Sequence, residues 1–305
     1  MVKTLKPTAL KKGDLIRVVA SSSPFNKPHF LEGIAYLNAL GFKTQYEKGI
    51  FKKNDYLAGS DKRRAAELLS ALNDAHAKAI LFARGGYGAM RLLPFLDKTR
   101  IKSPPKIILG YSDITVILLY LQQRYGWVGF YGPVVAKDIH QKAHPTTLKS
   151  LREALMGTEG KGCRTCSGLT PIKRGKATAP MIGGCLSLIT ALLGTKYEIN
   201  TQGKILFLED VGEKPYKVDR MLTQLKLAGK FDHCRGLVFG SLEDTASKKK
   251  YADAILRVLG DCPFPVMTGL KAGHGSVKMT LPLGIMTCLD AGKKSLTFME
   301  PACND

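Results

Sequence analysis

The chain has 305 residues, of which 45% are hydrophobic and 23% are charged, which excludes an intrinsically disordered protein and leaves room for two ordinary domains. Its 46 basic and 25 acidic side chains give a net charge of +21. Because the basic residues are spread along the chain without an RNA-binding or zinc-finger motif, we interpret the charge as a solvated surface and expect no specific nucleic-acid partner.

The first half of the chain alternates apolar strands with amphipathic helices. The predicted strands lie at 14–20, 42–47, 78–83 and 106–109, and the predicted helices lie at 29–40, 60–73 and 113–124. Gly41 is placed to end the first helix, and Ser60 is placed to cap the second. Strands and helices that alternate over short loops predict an α/β fold with a parallel sheet, in which ligands bind at the carboxyl ends of the strands.

The pattern changes at residues 157–178, which are rich in Gly, Thr, Ser and Lys and lack a clear period. This composition predicts a linker between an N-terminal domain, 1–156, and a C-terminal domain, 179–305. The elements predicted after the linker are helices at 185–193, 216–227 and 249–259 and strands at 204–208, 236–242, 277–281 and 295–299. We therefore predict a second domain that mixes helices and strands.

Export and membrane insertion are not expected. The first 20 residues scatter lysines among short apolar stretches and lack the continuous apolar segment of a signal peptide. The longest strongly apolar run, 114–121, is much shorter than the roughly 20 residues of a membrane helix. We predict a cytoplasmic protein without a membrane partner.

The seven cysteines are predicted to be reduced thiols, because their number is odd and their spacing resembles no disulfide framework. Cys163 and Cys166 form a C-x-x-C pair, but no second pair completes a zinc site. A loop is the favoured interpretation of this pair, and we predict no metal and no cofactor.

The sequence offers candidates for the three groups of serine-based nucleophilic catalysis: a serine, a histidine and an acid. Ser112 lies in the turn between a buried strand and a helix, and a serine hydroxyl needs a histidine base to act as a nucleophile. Among the six histidines, His274 lies between two glycines, in a loop that can place its imidazole freely. Glu209 and Asp210 follow the strand at 204–208, where either acid could orient the base; a capping or turn role for Glu209 is an equal alternative. The segment GYSDI lacks the second glycine of the G-x-S-x-G elbow, so that motif is not predicted.

The loop Gly85-Gly86-Tyr87-Gly88 follows the strand at 78–83. Its sequence matches neither G-x-G-x-x-G nor a P-loop with its lysine, the two common phosphate-binding motifs. A bare backbone N–H in this loop could bind an oxyanion, and a simple tight turn is an alternative.

With these residues in view, the sequence resembles the LD-carboxypeptidase family, which comprises the murein tetrapeptide carboxypeptidases and the related microcin immunity peptidases. The resemblance extends over nearly the whole chain, through the blocks LKKGDLIRVVASSSP, ARGGYGAMRLLPFLD, KIILGYSD, MIGGCLSLITALLGT, ILFLEDVGEKPYKVDRML and GHGSVKMTLPLG. It implies a flavodoxin-like N-terminal domain, a smaller C-terminal domain and a homodimer.

The resemblance also implies roles for individual residues. The nucleophile falls on Ser112, the glutamate on Glu209 and the histidine on His274, while the backbone N–H groups of Asp113 and Gly86 would form the oxyanion hole. The implied substrate is a murein tetrapeptide, cleaved between the L-centre of a diamino acid and a terminal D-alanine during cytoplasmic recycling. Cys185 stands where the family pattern would place asparagine, which leaves its effect on specificity open.

Two other functions remain as alternatives. One is hydrolysis of a microcin-type peptide or acyl-sulfamoyl adenylate that confers self-immunity. The other is peptide binding without catalysis, against which the complete set of Ser112, Glu209 and His274 argues.

Overall fold

The structure is a computed structural model, and it describes residues 2–157, 164–243 and 248–305. The strands are β1 (Leu15–Val19), β2 (Lys43–Gln45), β3 (Ala77–Phe82), β4 (Ile107–Gly110), β5 (Gly129–Tyr131), β6 (Arg164–Ser167), β7 (Thr170–Lys173), β8 (Lys176–Cys185), β9 (Ile205–Val211), β10 (Gly236–Glu243), β11 (Val266–Thr268), β12 (Leu281–Leu283), β13 (Met286–Asp290) and β14 (Ser295–Phe298). The α-helices are α1 (Lys27–Ala39), α2 (Asp61–Asn73), α3 (Leu93–Lys98), α4 (Thr115–Tyr125), α5 (Val135–Asp138), α6 (Pro145–Met156), α7 (Leu186–Ala191), α8 (Pro215–Leu227) and α9 (Lys248–Leu259).

The chain divides into two compact units. Unit 1 comprises Met1–Glu159, Met279–Pro282 and Ala302–Asp305, and unit 2 comprises Gly160–Lys278 and Leu283–Pro301. The linker predicted at 157–178 therefore differs from the structure, because β6, β7 and the start of β8 belong to unit 2; residues 158–163 lie outside the described part. The exact domain boundaries stay a prediction.

The sheet of unit 1 has the strand order β12-β5-β4-β3-β1-β2. The pairs from β2 through β1, β3 and β4 to β5 are all parallel. The order 2-1-3-4-5 is that of flavodoxin-like folds, so the fold predicted for the first half is confirmed. It brings the segments that follow β1, β3 and β4 to one edge of the sheet.

Local sequence explains where the helices of unit 1 begin and end. The Ser60 hydroxyl accepts the N–H of Arg63 at 3.3 Å and caps α2, as predicted. Gly41, which follows α1, has φ 93°, a conformation that glycine adopts without a steric penalty. Gly126 ends α4 in the left-handed conformation for the same reason.

The sheet of unit 2 has the order β6-β14-β13-β8-β9-β10-β11-β7. Its centre, from β8 to β11, is parallel, whereas the strands on either side pair antiparallel. This mixed sheet with helices confirms the predicted class of the second half. The most buried part of the sheet is β9, in which the residues from Ile205 to Asp210 are all buried.

Two predicted boundaries in the second half of the chain were wrong. The strand predicted at 277–281 begins only at Leu281, as β12, and the strand predicted to stop at 208 continues to Val211. Pairing of β9 with β10, in which Asp210 stands opposite Leu242, extends the strand beyond its apolar run. Among the described residues, no helix has the length and apolar character needed to cross a membrane.

Candidate active site

Ser112 lies at the turn between β4 and α4 with a left-handed backbone, φ 62°. This conformation is unfavourable by roughly 1–2 kcal/mol for residues other than glycine, so surrounding contacts must stabilise the backbone of Ser112. One such contact is the hydrogen bond that the Ser112 N–H donates to the hydroxyl of the buried Tyr131, at 3.1 Å. The turn thus has the strained strand-to-helix geometry of a nucleophile elbow although the G-x-S-x-G motif is absent.

The glycine loop, Gly85–Gly88, approaches this turn closely. A Cβ atom at Gly85 would lie 2.9 Å from the Cβ of Ser112, a separation too short for a side chain. Gly86, with φ 106°, leaves room for the Ser23 side chain, whose hydroxyl accepts the N–H of Tyr87 at 3.1 Å. Close approach to the serine turn explains why the loop is rich in glycine.

The side chain of Asp113 connects the serine turn to the residue that follows the glycine loop. It is almost completely buried, and its Oδ2 accepts the N–H of Ala89 at 2.7 Å. Burial raises the pKa of Asp113 to about 6, although the Ala89 hydrogen bond and the charge of Arg64 favour the ionised form.

This raised pKa predicts a pH-dependent stability. Between the ordinary value of 3.8 and about 6, the folded state binds more protons than the unfolded state, so stability falls as pH rises through this interval, by about 3 kcal/mol. Asp113→Asn removes the titrating group, and its stability relative to the unmodified protein should increase over the same interval. Denaturant unfolding at several pH values measures the difference.

Asp55→Asn, which alters an exposed carboxylate of unit 1, is the matched control. Parallel stability curves for Asp113→Asn and the unmodified protein between pH 4 and 6 would contradict the prediction.

In unit 2, the fully buried carboxylate of Glu209 holds His274 at two points. Its Oε2 accepts the backbone N–H of His274 at 2.9 Å and lies 2.8 Å from Nδ1 of the imidazole. A proton on Nδ1 satisfies this contact and leaves Nε2 with the lone pair that a general base needs. The pair therefore has the geometry of an orienting acid and its base.

Two glycines make space for this pair. Gly273 has φ 95°, and a Cβ atom there would overlap the Glu209 carboxylate. A Cβ atom at Gly240, on the neighbouring strand β10, would lie 3.1 Å from the Cβ of Glu209. The glycine before His274 thus serves close packing against the acid, in addition to the loop freedom predicted from the sequence.

The adjacent acid, Asp210, has a different role. Successive side chains of a strand point to opposite faces, and Asp210 accepts the N–H of Ser187 at 2.7 Å, in the first turn of α7. Burial raises its pKa. The two adjacent acids therefore make different contacts: Glu209 contacts His274, and Asp210 caps a helix.

Cys185 ends β8 beside β9, in register with Glu209. Its thiol is buried and lies 3.3 Å from the hydroxyl of Ser187. Burial, together with the charges of Asp210 and Glu209, raises the pKa of this thiol well above its ordinary value, which keeps it protonated and unreactive.

Ser112, Asp113 and Gly86 belong to unit 1, whereas Glu209 and His274 belong to unit 2. Their assembly into one site stays a prediction. In the described part of the chain no group of three His, Cys, Asp or Glu side chains could hold a metal ion. Cys163, one half of the C-x-x-C pair, lies outside that part, and Cys166 is buried in β6.

Sequence reasoning missed Tyr131 and Arg64. Tyr131 ends β5, a strand of three residues that is too short to show a period. Arg64 lies within the helix predicted at 60–73, and its side chain is completely buried and contacts Gly88. The glycines of the loop were the available signal, since each marks a close neighbour.

Comparison with known proteins gives matches over most of the chain. A family model described as the LD-carboxypeptidase N-terminal domain matches residues 16–132, and one described as the LD-carboxypeptidase C-terminal domain matches residues 178–289. The probable murein peptide carboxypeptidase of Bacillus subtilis (strain 168) is 36% identical over 95% of this chain and 93% of its own length.

Two solved structures are similar in fold. The structure of MccF in complex with glutamyl sulfamoyl guanosine has a TM-score of 0.89 at 26% identity, over 98% of this chain and 100% of that chain. The crystal structure of muramoyltetrapeptide carboxypeptidase from Oxalobacter formigenes has a TM-score of 0.83 at 26% identity, over 94% of this chain and 99% of that chain.

Proposed function

As a member of the LD-carboxypeptidase family, this chain is a serine carboxypeptidase, and we propose that it removes the terminal D-alanine of murein tetrapeptides. The bond cleaved is the amide between the L-centre of a diamino acid and D-alanine. The observation that carries the proposal is the contact of the buried Glu209 carboxylate with both the backbone and the imidazole of His274. This contact prepares a general base for a serine nucleophile.

In the proposed mechanism, Ser112 Oγ attacks the carbonyl carbon of the scissile amide while Nε2 of His274 takes the hydroxyl proton. Glu209 stabilises the imidazolium that forms. The backbone N–H groups of Asp113 and Gly86 bind the oxyanion of the tetrahedral intermediate, each contributing roughly 3 kcal/mol.

His274 then donates its proton to the nitrogen of the departing D-alanine, and the C–N bond breaks. The remaining acyl-enzyme carries the tripeptide as an ester of Ser112. Water, deprotonated by His274, attacks this ester and releases the tripeptide, which restores the serine hydroxyl.

The assay that tests this function uses tripeptide, tetrapeptide and pentapeptide murein fragments. We expect release of one D-alanine from the tetrapeptide and none from the same tetrapeptide ending in L-alanine. Exhaustive dialysis against a strong chelator should leave the rate unchanged, because a serine triad requires no metal. Absence of D-alanine release, together with tight binding of the intact tetrapeptide, would favour the binding protein without catalysis.

We further propose that the enzyme works in the cytoplasm as a homodimer, which suits the recycling of cell-wall peptides. Light scattering of the purified protein should then give a mass of twice the 33.3 kDa of one chain. Fractionation of cells should recover the protein with cytoplasmic markers.

Hydrolysis of an acyl-sulfamoyl nucleoside is the second candidate, favoured by the fold similarity to the MccF complex. Incubation with glutamyl sulfamoyl guanosine tests it in parallel with the tetrapeptide. A kcat/KM for this compound above that for the tetrapeptide would assign the resistance function in place of recycling.

The different roles of Glu209 and Asp210 give a paired prediction. Glu209→Gln should lower kcat by about 10⁴-fold, because an amide orients the imidazole poorly and cannot stabilise imidazolium by charge. Asp210→Asn should lower kcat by less than about tenfold, since the amide oxygen can still accept the Ser187 N–H and cap α7. Steady-state kinetics of the two variants measure both effects.

Equal stability of the two variants is the control for this comparison. A harmless Glu209→Gln combined with a severe loss in Asp210→Asn would reverse our assignment of the two acids.

A further inference from the structure

Arg64, in the first turn of α2, lies completely buried in unit 1. Its guanidinium donates to the carbonyl oxygens of Ser21, Gly88 and Gly59, at 2.8 Å for Gly88 and 3.3 Å for Gly59. It also forms an ion pair with Asp61. One side chain therefore satisfies acceptors from three separate backbone segments.

One of these segments, the glycine loop, packs against the turn of the candidate nucleophile. Ser21 lies just beyond β1, at the edge of the sheet where the segments after β3 and β4 also emerge. Gly88 ends the glycine loop, which packs against the turn of Ser112. Gly59 lies directly before the cap of α2. Arg64 thus connects the glycine loop to two backbone positions outside the loop, Ser21 and Gly59.

The fit between Arg64 and Gly88 is close. A Cβ atom at Gly88, where φ is 123°, would lie only 2.8 Å from Nη1 of Arg64. The loop can therefore reach the guanidinium only with glycine at this position, and a contact so specific restrains where Gly86 and Tyr87 can lie.

A buried guanidinium is an inefficient way to stabilise a fold. Removing a charged group from water costs several kcal/mol, and well-packed apolar residues of similar volume often give equal or higher stability. Its advantage is geometric, because the planar fork of arginine donates in several fixed directions at once. Such a group suits the positioning of loops better than the filling of a core.

We propose that Arg64 is a positioning residue of the active site, whose guanidinium holds the glycine loop beside Ser112 so that the Gly86 N–H is aimed at the oxyanion. This inference rests on the proposed function in the roles of Ser112 and Gly86. A displacement of about 1 Å in such a group reduces turnover by roughly 10²-fold.

The test compares Arg64→Met, Arg64→Lys and the matched control Arg17→Met. Arg17 is likewise buried in unit 1, but it forms its ion pair with Asp74, at the end of α2 opposite to Arg64. The measurements are kcat and KM on the tetrapeptide, thermal unfolding, and the second-order rate at which a fluorophosphonate labels Ser112. Labelling needs no knowledge of the natural substrate, so it remains informative if the proposed peptide is not hydrolysed.

We expect Arg64→Met to lower kcat and the labelling rate by about 100-fold, with KM changed by less than threefold. Guanidinium ion at millimolar concentration should restore part of the labelling rate. Arg64→Lys keeps the charge without the planar fork, and it should lower kcat and the labelling rate by about tenfold. This variant provides the test if Arg64→Met does not fold. Arg17→Met should change both rates by less than twofold at a comparable loss of stability.

The proposal is overturned if folded Arg64→Met, or Arg64→Lys in its place, keeps kcat and labelling within threefold of the unmodified protein. It is also overturned if Arg17→Met loses as much activity as the Arg64 variants, since the effect would then follow stability alone.

Discussion

Ser112→Ala should lower kcat on the tetrapeptide by roughly five to six orders of magnitude. The substitution removes the attacking oxygen, and no other group in the proposed site can form the acyl-enzyme. The backbone donors of Asp113 and Gly86 remain, so a small residual rate above that in water is expected. The fluorophosphonate should no longer label the protein. Rapid quench and mass spectrometry measure the two losses.

The strained backbone of Ser112 supplies the control. Alanine keeps the left-handed penalty of the serine, whereas Ser112→Gly relieves it and should be more stable than Ser112→Ala by about 1 kcal/mol. Both variants should be equally inactive. Wild-type turnover in either one would falsify the assignment of the nucleophile.

His274→Ala should lower kcat to a similar extent, because Nε2 both takes the proton from Ser112 and returns it to the leaving amine. The buried Glu209 carboxylate also loses a partner in this variant, which should reduce stability by a few kcal/mol. Added imidazole should restore part of the turnover, since it can occupy the space left by the side chain. Steady-state rates with and without imidazole measure the effect.

His233→Ala is the matched control, because His233 is an exposed histidine of the same unit. It should leave kcat unchanged within twofold. Equal losses in the two histidine variants would show that the loss in His274→Ala does not come from a base at that position.

Much of the fold follows from short stretches of sequence. The strands and helices of the first half are set by apolar periods and by end residues such as Ser60 and Gly41, whose effects act within one turn of the chain. The same local logic identified Ser112 at a strand-to-helix turn and His274 between glycines. These two residues could be predicted because their sequence neighbours already determine the local backbone structure around them.

The parts that were missed depend on partners far along the chain. The strand β6, predicted as linker, pairs with β14, so that Ser167 stands opposite Ser295. A polar, irregular segment of this kind becomes a strand because a strand far along the chain offers it hydrogen bonds. Local propensity does not indicate that such a partner strand exists.

The sequence by itself determined the α/β class, the order of elements in the first half and the residue types of the candidate site. The tertiary structure added the contacts that separate the two acids, since Glu209, and not Asp210, contacts His274, a partner 65 residues away. It also decided that Arg64 is buried against the glycine loop and that Ser112 adopts a left-handed backbone. The physical reason is that composition and period fix which residues are apolar or free to turn, whereas burial, hydrogen-bond partners and strain arise only when remote segments pack together.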